Sequence, residues 1–495
     1  MMASFKQNSF AAAPRNSHPP AGAEWALSGR NFILTVTRRV AEFARNVSYH
    51  DLPEDAVAKA KLLMLDTLGV AIGSTTLDFG KSTLELADEW QAVSGGSVIG
   101  SGTLVQPHHA ALINGILAHG QDFDDTHTES VVHPSGALVP AMLACAERDG
   151  SSGRDALLAL VLGTEISLRL ALPARNAFHL RGFHTTSVAC TFGVALLSAL
   201  LGQRRDEAQL THAMGIAGSF ASGLLECVPA ASSAKRLHAG WAGLCGIMAD
   251  DLSRSGFTGP PTVIEGRLGV YNSMLRGQDF DLEEIFQDLG EHWHLFDIRP
   301  KLYPCCHYLQ AFIDCAGRLR SRPGFDVTQI RQINARVAQG SVNMICEPWT
   351  TKIAPQTGYD ARFSLAYAIS TMLLRGRAGQ AEFMEDKLGD PDTLALMQKV
   401  QYKVDPAFEV KDMPAWIEID FNDGSTHIEE LASVRGNARN PISENELLDK
   451  FRDCTRAFDP TAIEAISDQV LSLECADSLA GLTQGLAKLR PVSAS

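Results

Sequence analysis

Apolar residues recur with a helical period over most of the first three hundred positions. In residues 52–74 they are spaced three and four positions apart, behind Asp51 as a predicted N-cap and Pro53 in the first turn. Segments with the same period follow at 110–119, 137–148, 155–172, 185–201, 207–225 and 241–255. Small residues dominate these segments, and Gly- and Pro-containing stretches separate them. The pattern predicts a large bundle of closely packed helices.

The period changes after about residue 297. Residues 333–337 and 416–421 alternate between apolar and polar side chains, which is typical of half-buried strands. Residues 422–424, Asn-Asp-Gly, predict a hairpin turn to a strand at 425–431, and an amphipathic helix is expected at 363–374. From residue 443 the helical period resumes. We therefore predict a mainly α fold, with a disordered leader at 1–30, a helical domain at 31–296 plus 432–490, and a smaller α+β domain at 297–431.

The leader and the longest uncharged stretch bear on localisation. Residues 1–30 are rich in Ala, Pro, Ser and Asn and contain a single acid, Glu24. This composition favours disorder, with an organelle transit peptide as the alternative. Residues 185–203 are uncharged but contain many Thr, Ser, Cys and Gly residues, so a core helix is expected there and no membrane span. A cytoplasmic protein follows, or a mitochondrial one if the leader is a transit peptide.

Composition narrows the function classes. The formal charge of -14 argues against a nucleic-acid partner, because such a binder needs a basic face. The ten cysteines include no Cys-x-x-Cys pair, which favours free thiols in a reducing compartment. Phosphate-binding Gly-Lys-Ser/Thr loops, His-Glu-x-x-His and Gly-x-Ser-x-Gly are absent, and 100–102 is only a fragment of a dinucleotide-binding loop.

A loop between two core helices carries the densest chemistry. Residues 119–136 contain four acids and three histidines. One interpretation is an acid/base pair formed by Asp122 and His133. A second is a divalent metal site formed by Asp124, His127 and His133. The third is a solvated acidic loop whose carboxylates cap helices.

Basic residues inside apolar surroundings are candidates for an anion site. Lys235, Arg236 and His238 lie together between small-residue helices, where they either bind carboxylates or form a solvated basic turn. His184 precedes the uncharged helix, as a cap or as a site residue. Lys301 falls where the period changes, and a domain interface is a common place for a ligand cleft. The following residues 305–307, Cys-Cys-His, suggest a thiolate nucleophile but lack an orienting third group.

In this order, these pieces resemble the MmgE/PrpD family of 2-methylcitrate dehydratases, cis-aconitate decarboxylases and iminodisuccinate epimerases. The stretches that carry the resemblance are 65–69, 114–115, 122–126, 133–136, 182–184, 235–238, 301–306 and 363–367. The resemblance implies a helical domain interrupted by an α+β lid domain, usually in a homodimer, with a cofactor-independent active site between the domains. One departure is that animal decarboxylases have an active-site histidine where this chain has Cys306, with His307 next.

The resemblance also implies roles for individual residues. The expected catalytic residues are Asp122, His133, Lys235 and His184. The expected substrate-binding residues are Thr126, Lys301, His307, His238 and Arg236. The leading hypothesis is dehydration of a 2-alkylcitrate by proton abstraction beside a carboxylate. Decarboxylation of a cis-aconitate-like acid and epimerisation of a dicarboxylate are close rivals; a metal-dependent hydrolase and a non-catalytic binding protein are rivals of another class.

Overall fold

The computed structural model describes residues 34–203, 206–228, 230, 232–436 and 440–492. The predicted leader at 1–30 lies outside the described residues. Helices dominate the rest, and the prediction of a mainly α fold is confirmed. The helices of nine or more residues are Val36–Asn46, Glu54–Ser74, Asp78–Glu89, Pro107–His119, Ser135–Asp149, Gly153–Arg169, Thr185–Leu201, Glu207–Phe220, Leu237–Arg254, His307–Arg320, Leu365–Arg375, Glu444–Thr455, Pro460–Leu471 and Ala480–Lys488.

The strands form three small sheets. They are β1 (Gln91–Ser97), β2 (Leu104–Val105), β3 (Thr126–His127), β4 (Ile298–Arg299), β5 (Ile330–Val337), β6 (Val400–Val404), β7 (Ala415–Phe421) and β8 (Thr426–Leu431). Strands β1 and β2 pair, as do β3 and β4, and the other four form a sheet in the order β6-β5-β7-β8. β5 is parallel to β6 and antiparallel to β7. The predicted alternation in β7 is confirmed, because its odd-numbered residues are buried.

Buried apolar side chains form two large cores. The first joins residues from Val36 to Ile298 with residues from Phe451 to Leu489. The second lies between Cys305 and Val434 and includes the four-stranded sheet. From Thr35 onward the described chain nevertheless forms one compact unit, and the predicted domain boundaries stay a prediction.

Small residues let the central helices approach closely. A Cβ added to Gly115 would lie 2.4 Å from the Cα of Gly240, a distance that real Cβ atoms do not adopt. Glycine is therefore required at both positions for helices Pro107–His119 and Leu237–Arg254 to cross at this point. This crossing places the basic residues 235–238 beside the loop that follows His119.

Two helix ends differ from the prediction. Helix Glu54–Ser74 begins after Pro53, so the expected N-cap at Asp51 is wrong. The Asp51 carboxylate instead accepts the N–H of Ser48 at 2.8 Å, which closes a short turn before the helix. The helix expected at 207–225 ends at Phe220, because the next residue, Ala221, has a ψ of 118° that lies outside the helical region. No described helix is both long and apolar enough to cross a membrane. All ten cysteines are free, and nine are buried.

Candidate active site

The loop that follows His119 is buried rather than solvated. Asp122, Asp124 and Asp125 are each at most 2% exposed. A buried carboxylate costs several kcal/mol unless it is paired or protonated, so each of these side chains requires a partner. The interpretation of a solvated acidic loop is therefore wrong.

Asp122 forms an ion-pair cluster with two lysines from distant parts of the chain. Its Oδ1 lies 2.6 Å from Lys235 Nζ and 3.4 Å from Lys301 Nζ. Burial alone would raise the pKa of Asp122, but Lys235 and Lys301 outweigh it and hold this pKa well below its usual range. The charge of Asp122 raises the pKa of Lys235 despite burial of the ammonium group. The cluster is thus one carboxylate between two ammonium groups, with a net positive charge.

Three successive carbonyl groups of the loop each accept a cationic donor from a different segment. Arg362 Nη1 donates to Gln121 O at 2.8 Å, and Lys301 Nζ donates to Asp122 O at 2.8 Å. Lys450 Nζ donates to Phe123 O at 2.8 Å. These bonds fix a backbone that is left-handed at Asp122, with a φ of +54°, which costs about 1–3 kcal/mol in a residue with a side chain.

His133 is held by one ring nitrogen. Its Nδ1 lies 2.8 Å from Asp125 O and 2.9 Å from Thr126 Oγ1. A carbonyl oxygen only accepts, so Nδ1 carries the proton and Nε2 of the neutral ring keeps its lone pair. Burial and, next, Lys301 lower the pKa of His133 to about 3, which keeps the ring neutral. His133 therefore has the form of a general base.

The predicted pairing of Asp122 with His133 takes another form in the structure. The hydrogen bonds of the described residues join Asp122 to Lys235, and they join His133 to the loop backbone and Thr126. With its low pKa, Asp122 is an anion that holds cations in place rather than a proton donor.

The metal site predicted from Asp124, His127 and His133 is wrong. Asp124 Oδ2 lies 2.7 Å from His119 Nδ1, and the His127 Nδ1 lies 2.8 Å from Ser130 Oγ. The described residues contain one group of three possible ligands whose donor atoms converge, and it includes only His127 of the predicted three. The carboxylate of the third buried acid, Asp125, accepts from Ser135 at the start of helix Ser135–Asp149.

His184 connects the basic residues to the site. It is the N-cap residue of helix Thr185–Leu201, and its Nδ1 lies 3.0 Å from His238 Nδ1. Burial and Lys235 lower the pKa of His184 well below its usual value. His238 thus contacts His184 but does not itself line the cavity described below. The Arg236 guanidinium also lies outside that cavity wall, stacked between the rings of Phe79 and Tyr359 at 4.3 and 4.5 Å.

One cavity of about 720 Å³ collects the remaining predicted residues. Seven of the nine predicted site residues line it: Asp122, Thr126, His133, His184, Lys235, Lys301 and His307. The lining nitrogens His179 Nε2 and His184 Nε2, and both ring nitrogens of His307, are buried without a protein partner. Buried polar atoms are normally hydrogen-bonded, so a cavity lined by such atoms indicates a polar ligand. His307 lines this wall beside Cys306.

The structure does not support a thiolate nucleophile at this wall. Burial and, next, Asp122 raise the pKa of the Cys306 thiol to about 11. A thiol with this pKa is neutral near pH 7 and reacts poorly as a nucleophile.

Sequence reasoning missed four residues that complete the site. His119 lies within the loop already singled out, and its spacing to Asp124 was the available signal. His179, Arg362 and Lys450 gave no local signal, because their contacts join positions far apart in the chain.

Family models match both parts of the chain. The MmgE/PrpD N-terminal domain matches residues 38–283, and the MmgE/PrpD C-terminal domain matches residues 303–474. The chain belongs to the MmgE/PrpD family. The resemblance stated from the sequence is thereby confirmed.

Curated relatives include two kinds of enzyme. A cis-aconitate decarboxylase of Aspergillus terreus is 26% identical over 462 residues, which cover 89% of this chain and 93% of the relative. The human cis-aconitate decarboxylase is 26% identical over 487 residues, covering 91% and 94%. The 2-methylcitrate dehydratase of Salmonella typhimurium is 23% identical over 434 residues, covering 82% and 87%. The expectation of a lyase is confirmed, because the decarboxylase relatives are carboxy-lyases and the dehydratase relative is a hydro-lyase.

Proposed function

We propose that this protein is a lyase for a small aconitate- or citrate-like tricarboxylate, with His133 as the group that moves the proton. The observation that carries the proposal is one cavity that holds the Asp122–Lys235–Lys301 cluster and the His133 imidazole together. Lys235, Lys301 and the unpartnered nitrogens of His184 and His307 supply donors for substrate carboxylates. Fixed cations stabilise the carbanion-like state that forms beside a carboxylate.

Decarboxylation of a cis-aconitate-like acid is the reaction we propose first. The decarboxylase relatives match over a larger share of this chain than the dehydratase does. In this reaction a C–C bond breaks, CO₂ leaves, and the electron pair is delocalised through the double bond into a remaining carboxylate. A proton must then be added to carbon. Bound carboxylates offset the positive field of Lys301 and raise the proton affinity of His133, so that Nε2 takes up a proton from water when the substrate binds. His133 then donates this proton to carbon and returns to the neutral form.

Dehydration of a 2-methylcitrate-like acid is the second candidate. The free lone pair on His133 Nε2 favours it, because this reaction begins with removal of a proton beside a carboxylate. The electron pair then forms the double bond while hydroxide leaves with a proton.

The homodimer implied by the family resemblance is also part of the proposal. Light scattering of the purified protein tests whether it is a dimer in solution.

The deciding experiment incubates the protein with cis-aconitate, 2-methylcitrate and citrate. CO₂ release identifies decarboxylation, and growth of alkene absorbance without CO₂ identifies dehydration. We expect His133→Gln to lose about 10²–10⁴-fold in turnover with little change in KM, since a positioned proton-transfer group contributes about that much. His50→Gln, which changes an exposed histidine far from the cavity lining, is the matched control. Wild-type turnover in His133→Gln, or no turnover of any of the three acids, would contradict the proposal.

A further inference from the structure

A second group of histidines lies beside β3 and β4, outside the lining of the active-site cavity. The ligand atoms of His127, His294 and Asp297 lie within 4.8 Å of one another. His127 belongs to β3, and the other two belong to a short 3-10 helix, His294–Asp297, that leads directly into β4. The strands pair, with Thr126 opposite Arg299 and His127 opposite Ile298. The group therefore joins the two chain segments that form this ribbon.

The histidines of the group have nitrogens without partners. His127 is 1% exposed, and its Nε2 is buried with no hydrogen-bond partner. His294 Nδ1 is likewise buried without a hydrogen bond and lies 3.8 Å from Asp297 Oδ2. A buried polar atom without a partner costs about 1–3 kcal/mol, so two such atoms that face one carboxylate require an explanation.

The second nitrogen of His127 is already oriented. Its Nδ1 lies 2.8 Å from Ser130 Oγ, and the Ser130 N–H lies 3.2 Å away. Because a backbone N–H only donates, Nδ1 accepts from Ser130 and the proton of the neutral ring lies on Nε2. To bind a metal ion at Nε2, the ring must move this proton to Nδ1, which then donates to the Ser130 hydroxyl. A metal-binding histidine usually has its other nitrogen fixed in this way.

We propose that His127, His294 and Asp297 bind a divalent transition-metal ion of the Zn²⁺ type. Two imidazole nitrogens and one carboxylate oxygen suit zinc, whereas Mg²⁺ and Ca²⁺ prefer oxygen ligands alone. Asp297 is about half exposed, which leaves an entry path and room for water as a fourth ligand. His292 Nε2 lies 3.3 Å from Asp297 Oδ2 and is the protein alternative for that fourth position.

Charges around the group include cations as well. Arg299 and Arg169 lower the pKa of the neighbouring histidines, and Lys59 lies near Asp297. Their positive field weakens cation binding, so selectivity for a strongly coordinating metal over Mg²⁺ is expected. The bound ion would connect β3 to the segment before β4, next to Thr126 and four residues before Lys301. Its role would be to hold these two active-site residues in register.

The test uses ZnCl₂ and the full-length protein, and its readouts do not depend on the proposed reaction. Protein freed of metal with a chelator is titrated with Zn²⁺ by calorimetry, dialysed, and analysed for bound zinc. We expect a single equivalent of zinc and a melting temperature raised by about 1–2 °C at saturating metal, a small shift because the chain is long.

The decisive variants are His294→Gln and Asp297→Asn. Both side chains are partly exposed, so these changes avoid the buried His127, and a melting curve in chelator verifies folding. We expect both variants to lose the bound zinc. His133→Gln and His50→Gln are controls that should retain it. Zinc retained by both decisive variants, zinc lost in His133→Gln, or no zinc bound by the wild-type protein would overturn the proposal.

Discussion

Two acid-rich segments of the molecule have opposite surroundings. The loop at 122–129 has four acids, and the β7–β8 hairpin at 418–430 has five. In the loop, Asp122 and Asp124 are buried and paired with Lys235 and His119. In the hairpin none of the five acids is buried, and the half-buried Asp420 pairs with Arg331, which is 64% exposed.

The density of acidic residues along the chain therefore does not by itself identify a functional site. The loop becomes a site because lysines from two distant segments meet one carboxylate away from water. The hairpin lacks such burial, and an exposed ion pair contributes about 0–1 kcal/mol.

Replacing Lys235 by Met should have the largest effect on both function and stability. The change leaves Asp122 buried with only Lys301 at 3.4 Å, and breaking a buried ion pair costs about 3–5 kcal/mol. We expect turnover of the identified acid to fall by at least about 10²-fold and urea denaturation to show the loss of stability. The exposed Lys403→Met in β6 is the matched control.

A double variant separates charge burial from catalysis. Asp122→Asn together with Lys235→Met removes both charges, so most of the lost stability should return while activity stays low. Equal stability losses in the single and double variants would contradict the interpretation of Asp122 as a partner of Lys235.

Lys450→Met should cost somewhat less, about 2–3 kcal/mol. Lys450 lies 2.7 Å from the buried Asp66, but burial already raises the pKa of Asp66, so this carboxyl can take up a proton when its partner is lost. The bond to Phe123 O would also be lost, and kcat should fall. The exposed Lys488→Met, in the last helix, should leave both quantities unchanged; a Lys450→Met protein as stable and active as this control would refute the role.

Lowering the pH should destabilise the loop region already at pH values above those at which ordinary carboxylates titrate. The pKa of His133 is lowered to about 3 from a value of about 6.5 in the unfolded chain, so the unfolded state binds more protons between these values. Stability therefore falls as pH drops below about 6.5, by about 1–2 kcal/mol for this group at pH 5. Asp125 works in the opposite direction, because burial raises its pKa to about 7.

Urea denaturation at pH 7 and pH 5 measures this slope. Other buried histidines, including His179 and His184, add to it because their pKa values are lowered too. His133→Gln should reduce the difference between the two pH values. An identical difference in wild type and His133→Gln would contradict a neutral His133.

Arg331→Gln in β5 of the four-stranded sheet should have the smallest effect. The pair with Asp420 spans 3.4 Å and is solvent-exposed on the arginine side, so the free energy of unfolding should change by less than about 0.5 kcal/mol. A loss comparable to that of Lys235→Met would show that exposure does not distinguish the two segments.

Local patterns predicted much of the fold. The core helix Thr185–Leu201 is entirely buried, as its uncharged composition indicated, and β7 alternates as its sequence does. The prediction of Asp51 as an N-cap was wrong, because its carboxylate accepts the N–H of Ser48 and not an N–H of the first helical turn. Seven predicted site residues share one cavity, whereas Arg236 stacks on aromatic rings that are more than 100 positions away on either side. Long-range packing of this kind has no local signature.

The three carbonyl acceptors at Gln121, Asp122 and Phe123 have a consequence for biosynthesis. Their donors are Arg362, Lys301 and Lys450, and all of them are translated long after the loop itself. A nascent chain that has only reached residue 283 already contains Lys235, the partner of Asp122, but none of the three donors to these carbonyl groups. The catalytic loop thus acquires its final conformation only when nearly the whole polypeptide has left the ribosome, and a product shortened before Lys450 would be released without it.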